Sequence, residues 1–94
     1  MSKWSILQGG RKQCYFCHSP YCEYHHIYFG AALRKISDKH HFTAWLCPMH
    51  HTGSLDSVHR NREMDLELKQ ACQKKFEETH TREEFMKIIG RSYL

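Results

Sequence analysis

The chain has 94 residues and a mass of 11.3 kDa. That is too short for two independent cores, and a core of this size buries only about 60–65% of the unfolded surface. With 40% hydrophobic residues and a mean hydropathy of −0.71, no run approaches the roughly 18 apolar residues of a membrane span; 13% aromatic residues spread along the chain argue against a disordered tail. The net charge of +4 permits a polyanionic partner without requiring one.

Residues 1–13 read as a loose entry broken at Gly9-Gly10. They hold no apolar stretch of the secretory kind, so the expected location is cytoplasmic, with reduced thiols and no membrane. Residues 14–60 carry nearly all the Cys and His, and helical periodicity there is poor. The short apolar runs His26-Ile27-Tyr28-Phe29 and Thr43-Ala44-Trp45-Leu46 suggest two strands, with 31–41 as a connecting loop. From residue 61 the pattern becomes helical. Asn61 can cap, Glu63 and Asp65 suit a first turn, and Met64, Leu68, Cys72 and Phe76 form one apolar stripe over about four turns. Thr81-Arg-Glu-Glu84 is a capping box that opens a second helix, with Phe85, Ile88 and Ile89 as its apolar face and Gly90 as its stop. One domain is expected over 1–94, with a metal-bound core at 14–60 and a helical extension at 61–94.

Five cysteines cannot close a disulfide set, and a core this small needs a staple. Cys14-x-x-Cys17 and Cys47-x-x-His50 each present two ligands from a tight bend. Together they make a tetrahedral Cys3His set of the kind structural Zn2+ prefers. Two competing readings stand beside it: a local Cys22-x-x-His25 knuckle, and buried thiols without a ligand. Cys72, on the helical stripe, reads as a small core residue.

Nine histidines in 94 residues, eight of them between His18 and His59, are a chemical signal in themselves. His25 and His26 are neighbours at the start of a predicted strand, so they point to opposite faces and cannot share one job. One can ligate a metal while the other faces a substrate as a base. A compact turn over 51–60 would bring His51 and His59 to face His25. Three protein ligands with open positions make the catalytic kind of metal site, and such a divalent ion (Mg2+, Mn2+, Ni2+ or Zn2+) can clamp a scissile phosphate.

The succession C-x-x-C, H-H-I, S-D and L-C-x-x-H-H-T-G…H, from Cys14 to about His59, resembles the HNH nucleases of the ββα-metal (His-Me finger) class. It is most similar to small phage-encoded nucleases related to the Ref and Rap recombination proteins. The resemblance implies a zinc-stapled ββα-metal core; with the two C-terminal helices, which lie outside the resemblance, the expected fold is small α+β. The resemblance also implies His25, His51 and His59 as ligands of the catalytic divalent metal and His26 as the general base. Asp38 matches the S-D position. The pattern's orienting Asn is missing, and His41 is the nearest candidate for that role. A phage or prophage origin, with the host cytoplasm as location, goes with the resemblance.

Arg34, Lys35 and Lys39 are candidates for phosphate contact, against a solvated loop. Tyr28 is even between core and base stacking, Trp45 and Phe29 read as core, and His18, His40 and His80 read as solvated. The function expected is a metal-dependent DNA endonuclease hydrolysing phosphodiester bonds, with nicking of one strand as one mode open to it. A protein partner or a homodimer through the C-terminal helices would suit so small an enzyme. The alternative is a zinc-binding DNA or protein adaptor without cleavage, which accounts for the zinc set but not for His26, His51 and His59.

Overall fold

A computed structural model describes residues 3–53 and 57–94. Strand β1 (Glu23–His26) pairs antiparallel with β2 (Thr43–Leu46), in a register that sets His25 against Ala44 and His26 against Thr43. Helix α1 (Leu33–His40) joins them, a π-helical turn follows at Met49–Gly53, and α2 (Arg62–Phe76) and α3 (Arg82–Ile89) complete a small, compact α+β architecture.

Three expectations change. The first strand lies three residues earlier than the apolar run suggested, because Ile27 and Tyr28 are buried beyond the ladder rather than within it. The segment 31–41 is a helix rather than a loop. Its cues were weak: Ala32 at the N-cap offers no side-chain bond and the first turn has no acid. Packing holds it instead. Leu33 and Ile36 lie against the core, and the buried Ser37 hydroxyl donates to Tyr28 O at 2.6 Å while accepting from Tyr28 N at 3.2 Å. Residues 3–13 are a docked turn rather than a loose entry. A two-stranded sheet leaves exposed edges, and here that of β2 is met: the Trp45 N–H donates to Gln8 Oε1 and Trp45 O accepts from Tyr15 N, both at 2.8 Å, while Ser5 is fully buried and donates to Thr43 O.

The C-terminal helices follow their sequence signals. Asn61 Oδ1 accepts from Glu63 and Met64 N–H, Thr81 and Glu84 form a reciprocal capping box, and Gly90 closes α3 at φ +100°, where a Cβ would be strained. The stripe is buried within this one chain: Leu68, Cys72 and Phe76, with Phe85 and Ile89, close over Tyr28 and Phe42. Tyr28 lies edge-on to Phe42 and Phe85, and its hydroxyl donates to Lys69 O at 2.6 Å, tying the exit of β1 to α2. Among the described residues no helix is long and apolar enough to cross a membrane.

Candidate functional site

Two clusters of ligating side chains meet at the π-helical turn. His50 and His51 lie three and four residues after Cys47, and both donate their backbone N–H to its carbonyl, at 3.0 and 2.9 Å. Neighbouring residues on so tight a turn diverge, so one histidine serves each cluster. Gly53 is required here: a Cβ would sit 2.9 Å from Pro48 O, and that neighbour is backbone that cannot swing aside.

The first cluster is Cys14, Cys17, Cys47 and His50. Cys14 and Cys17 come from the bend stapled by the His18 N–H to Cys14 O, with His18 at φ +65°. Zinc at about 2.3 Å from sulfur and about 2.0 Å from nitrogen would set tetrahedral edges of about 3.8 Å (S···S) and about 3.5 Å (S···N). The observed edges are 3.7 Å for Cys17–Cys47, 3.6 Å for Cys14–His50 Nδ1 and 3.1 Å for Cys47–His50 Nδ1. Burial would raise the Cys14 thiol, yet the backbone N–H groups of Cys47, Cys17 and Phe16 outweigh it and hold the group at about 6. Cys17 keeps the Ser19 N–H but is pushed up by desolvation and by the sulfurs of Cys14 and Cys47. Crowded thiolates of this kind are relieved by a cation, and the set is compatible with a bound metal such as zinc. Cys22 lies outside the cluster, its sulfur directed at Pro20 O, and Cys72 is fully buried.

The second cluster is His25, His51 and His59, whose ligating nitrogens all lie within 4.8 Å of one another. Their ring centroids form a near-equilateral triangle of 5.2, 5.3 and 4.8 Å. His59 is brought in by backbone bonds that fold 58–59 back on the turn: Val58 N to His50 O at 2.7 Å and His59 N to His51 O at 3.3 Å. These bonds bring His51 and His59 to face His25, while residues 54–56 of the expected compact turn lie outside the described residues. His25 is 3% exposed and its Nε2 has no hydrogen-bond partner among the described residues. Burial first, then the facing His51 and His59, lower its pKa to about 3, so the ring is neutral with a free lone pair. Burial and His51 also lower His59. A neutral, buried, unpartnered imidazole facing two others is the donor state that a metal requires.

Glu23 was not anticipated. Its Oε1 accepts from His51 Nδ1 at 2.8 Å, which leaves His51 Nε2 for the cluster. A carboxylate behind a ligating histidine fixes its tautomer and orientation. The signal was available: Glu23 is two residues before His25, on the same face of β1.

His26 points to the opposite face, as alternation demands, and Asp38 Oδ1 lies 3.2 Å from its Nε2. His41 does not take that place. It caps α1 at φ +59°, edge-on to Trp4, and is absent from the cleft lining. The adjacent Ser37–Asp38 pair divides the work, since Ser37 anchors α1 on Tyr28 and the next side chain reaches His26. Comparison with protein-family models, with curated proteins and with solved structures gives no match.

Both histidine faces open into one cleft of about 550 Å³, lined by Tyr24, His25, His26, Arg34, His51 and His59 with the Phe29–Ala31 corner. It continues past His26 and Arg34 to Lys35 and Asp38. Arg34 and Lys35 are thus at the site. Tyr28 is not: it is fully buried and unavailable for base stacking. Phe29, expected in the core, is 41% exposed and walls the cleft beside His25 and His59. Trp45 is core, and of the remaining histidines His18 and His80 are exposed while His40 is half-buried.

Proposed function

We propose that the chain is a metal-dependent DNA endonuclease of the HNH, ββα-metal type, with Cys14, Cys17, Cys47 and His50 holding structural zinc and His25, His51 and His59 holding a divalent ion. The observation that carries this reading is the convergence in one cleft of His26, backed by Asp38, with a cluster of three imidazoles that it does not join. A purely structural metal site needs neither an open cleft nor a spare histidine beside it. When bound, the divalent ion supplies positive charge for the phosphoryl oxygens and the departing oxygen.

The remaining work falls to the chain's own groups. With Nε2–H donating to Asp38, His26 keeps Nδ1 as a lone pair that can take a proton from an attacking water. Asp38 is 66% exposed, so its pairing with His26 contributes orientation more than stability. Glu23 steadies His51, and Arg34 offers its guanidinium to the phosphate backbone at the cleft mouth.

The test is plasmid nicking followed against the concentration of Mg2+, Mn2+, Ni2+ or Zn2+. Wild type is expected to nick. His26→Ala should lose about 10²–10⁴ in rate with metal affinity intact, whereas excess metal should partly restore His51→Ala. Rescue of His26→Ala by metal would exchange the two roles. Equal activity in all three proteins would remove the nuclease reading and leave the zinc-bound adaptor.

A further inference from the structure

The charge of this chain is unevenly divided. Residues 1–53 hold six Lys and Arg against two acids, and residues 54–94 hold eight against eight, so the whole net charge of +4 belongs to the half that builds the cleft. The two acids of that half, Glu23 and Asp38, are each engaged by a histidine. The ion pairs among the described residues engage none of Lys3, Arg11, Lys12, Arg34 or Lys35, while Lys69, Lys75 and Arg82 of α2 and α3 are each paired with an acid.

The amino-terminal cations are connected to the cleft by rings. Lys3 Nζ sits 4.7 Å from the centre of the Tyr24 ring, and Tyr24 lines the cleft and lies edge-on to His26. On its other side Tyr24 packs at 4.9 Å on Trp45, its cross-strand partner, and Lys12 Nζ lies 5.4 Å from the Trp45 ring. Arg11 lines the adjoining recess of about 390 Å³ together with Gln8, which holds the Trp45 N–H. Aromatic faces hold Lys3 and Lys12 at two rings that pack on each other, and cations held at successive rings suit a repeating anion rather than a single one.

We propose that duplex DNA is bound along this strip, from Arg34 and Lys35 across Tyr24 to Lys3, Lys12 and Arg11, and that the electroneutral α2–α3 layer stays off it. The identity of the polyanion rests on the nuclease reading; the strip itself rests on charge and geometry. The docked amino-terminal turn is therefore a binding element as well as an edge cover. Each phosphate contact adds about 0.9 to the salt dependence of binding to duplex DNA.

The experiment measures binding of a fluorescent 20-base-pair duplex to the zinc-loaded protein by anisotropy, between 50 and 200 mM salt, with plasmid nicking in parallel. The variant K3Q/R11Q/K12Q should lower the slope of log affinity against log salt by about 2–3 and weaken binding at least about tenfold at 100 mM. The matched control K74Q/K75Q/K87Q removes the same charge from exposed positions on α2 and α3 and should stay within about twofold of wild type. Equal losses in the two variants, or an unchanged slope in the first, would overturn the strip. If circular dichroism shows the triple variant unfolded, Lys3→Gln alone, at an exposed residue whose ammonium lies over Tyr24, should lower the slope by about 1; no change there is equally fatal. A wild type that binds with this pattern but never nicks leaves the strip standing and defeats the nuclease. A wild type that nicks while the strip variant binds and nicks normally does the reverse. No binding by wild type defeats the strip outright.

Discussion

Cys17→Ser is the perturbation that isolates the proposed zinc site, because Cys17 is exposed and contributes little packing. A near-isosteric exchange at an exposed position ordinarily changes stability by about 0.5 kcal/mol or less. Here Cys17 is one of four donors, with its sulfur 3.7 Å from Cys47 Sγ, and the cluster joins residues 14–17 to residues 47–50 around a sheet of four residue pairs. Structural zinc contributes about 10–16 kcal/mol, comparable with the whole stability of about 5–15 kcal/mol that a small domain has. Losing even a quarter of it, about 3 kcal/mol, lowers Tm by about 12–24 °C at about 4–8 °C per kcal/mol. Elemental analysis and thermal melts by circular dichroism are the assay. Wild type should hold one zinc per chain, and Cys17→Ser should hold less and melt early or without cooperativity. Cys22→Ser, outside the cluster, should change neither. A Cys17→Ser protein that keeps its zinc and melts within a few degrees of wild type would refute the assignment, and a loss confined to Cys22→Ser would transfer the site to the local knuckle.

Leu68→Ala removes a fully buried side chain from the seam between α2 and the core and should cost about 2–5 kcal/mol in urea unfolding, independent of protein concentration; a concentration-dependent cost would place the stripe in a subunit interface. Gly53→Ala forces the π-helical turn away from Pro48 O and should destabilise the fold by about 1–3 kcal/mol while loosening zinc, read by competition with a chromophoric chelator; unchanged retention would show that the turn yields freely. Glu84 has a pKa lowered by the Thr81 backbone N–H and then by the Thr81 hydroxyl. A depressed carboxylate stabilises the fold above its unfolded value and loses that contribution as pH falls through its folded value, so the Tm deficit of Thr81→Ala should shrink on acidification below about pH 4.5. A deficit constant with pH would mean that the capping box carries no charge-dependent part.

The amino-acid pattern was enough for whatever depends on near neighbours. The C-x-x-C and C-x-x-H bends, the Asn61 cap, the Thr81–Glu84 capping box, the stripe from Met64 to Phe76 and the Gly90 stop are each contained within thirteen residues or fewer, and backbone geometry translates them directly into shape. The divergence of His25 and His26 was legible for the same reason, since strand alternation is local. What escaped was decided by packing at a distance. Helix α1 has no side-chain cap at its N-terminus and no acidic first turn, and it forms because Ser37 and Ile36 find Tyr28 and the core; its position then made Asp38, and not His41, the partner of His26. Tyr28 and Phe29 are adjacent aromatics with the same sequence credentials, yet the fold drove one into the core under α2 and left the other as the wall of the cleft. The amino-terminal turn looked unstructured because its partners, the free edge of β2 and the Tyr24–Trp45 rings, lie some twenty to forty positions away. A two-stranded sheet cannot close its own edges, and the residues that close them can be identified only once the chain has folded back on itself.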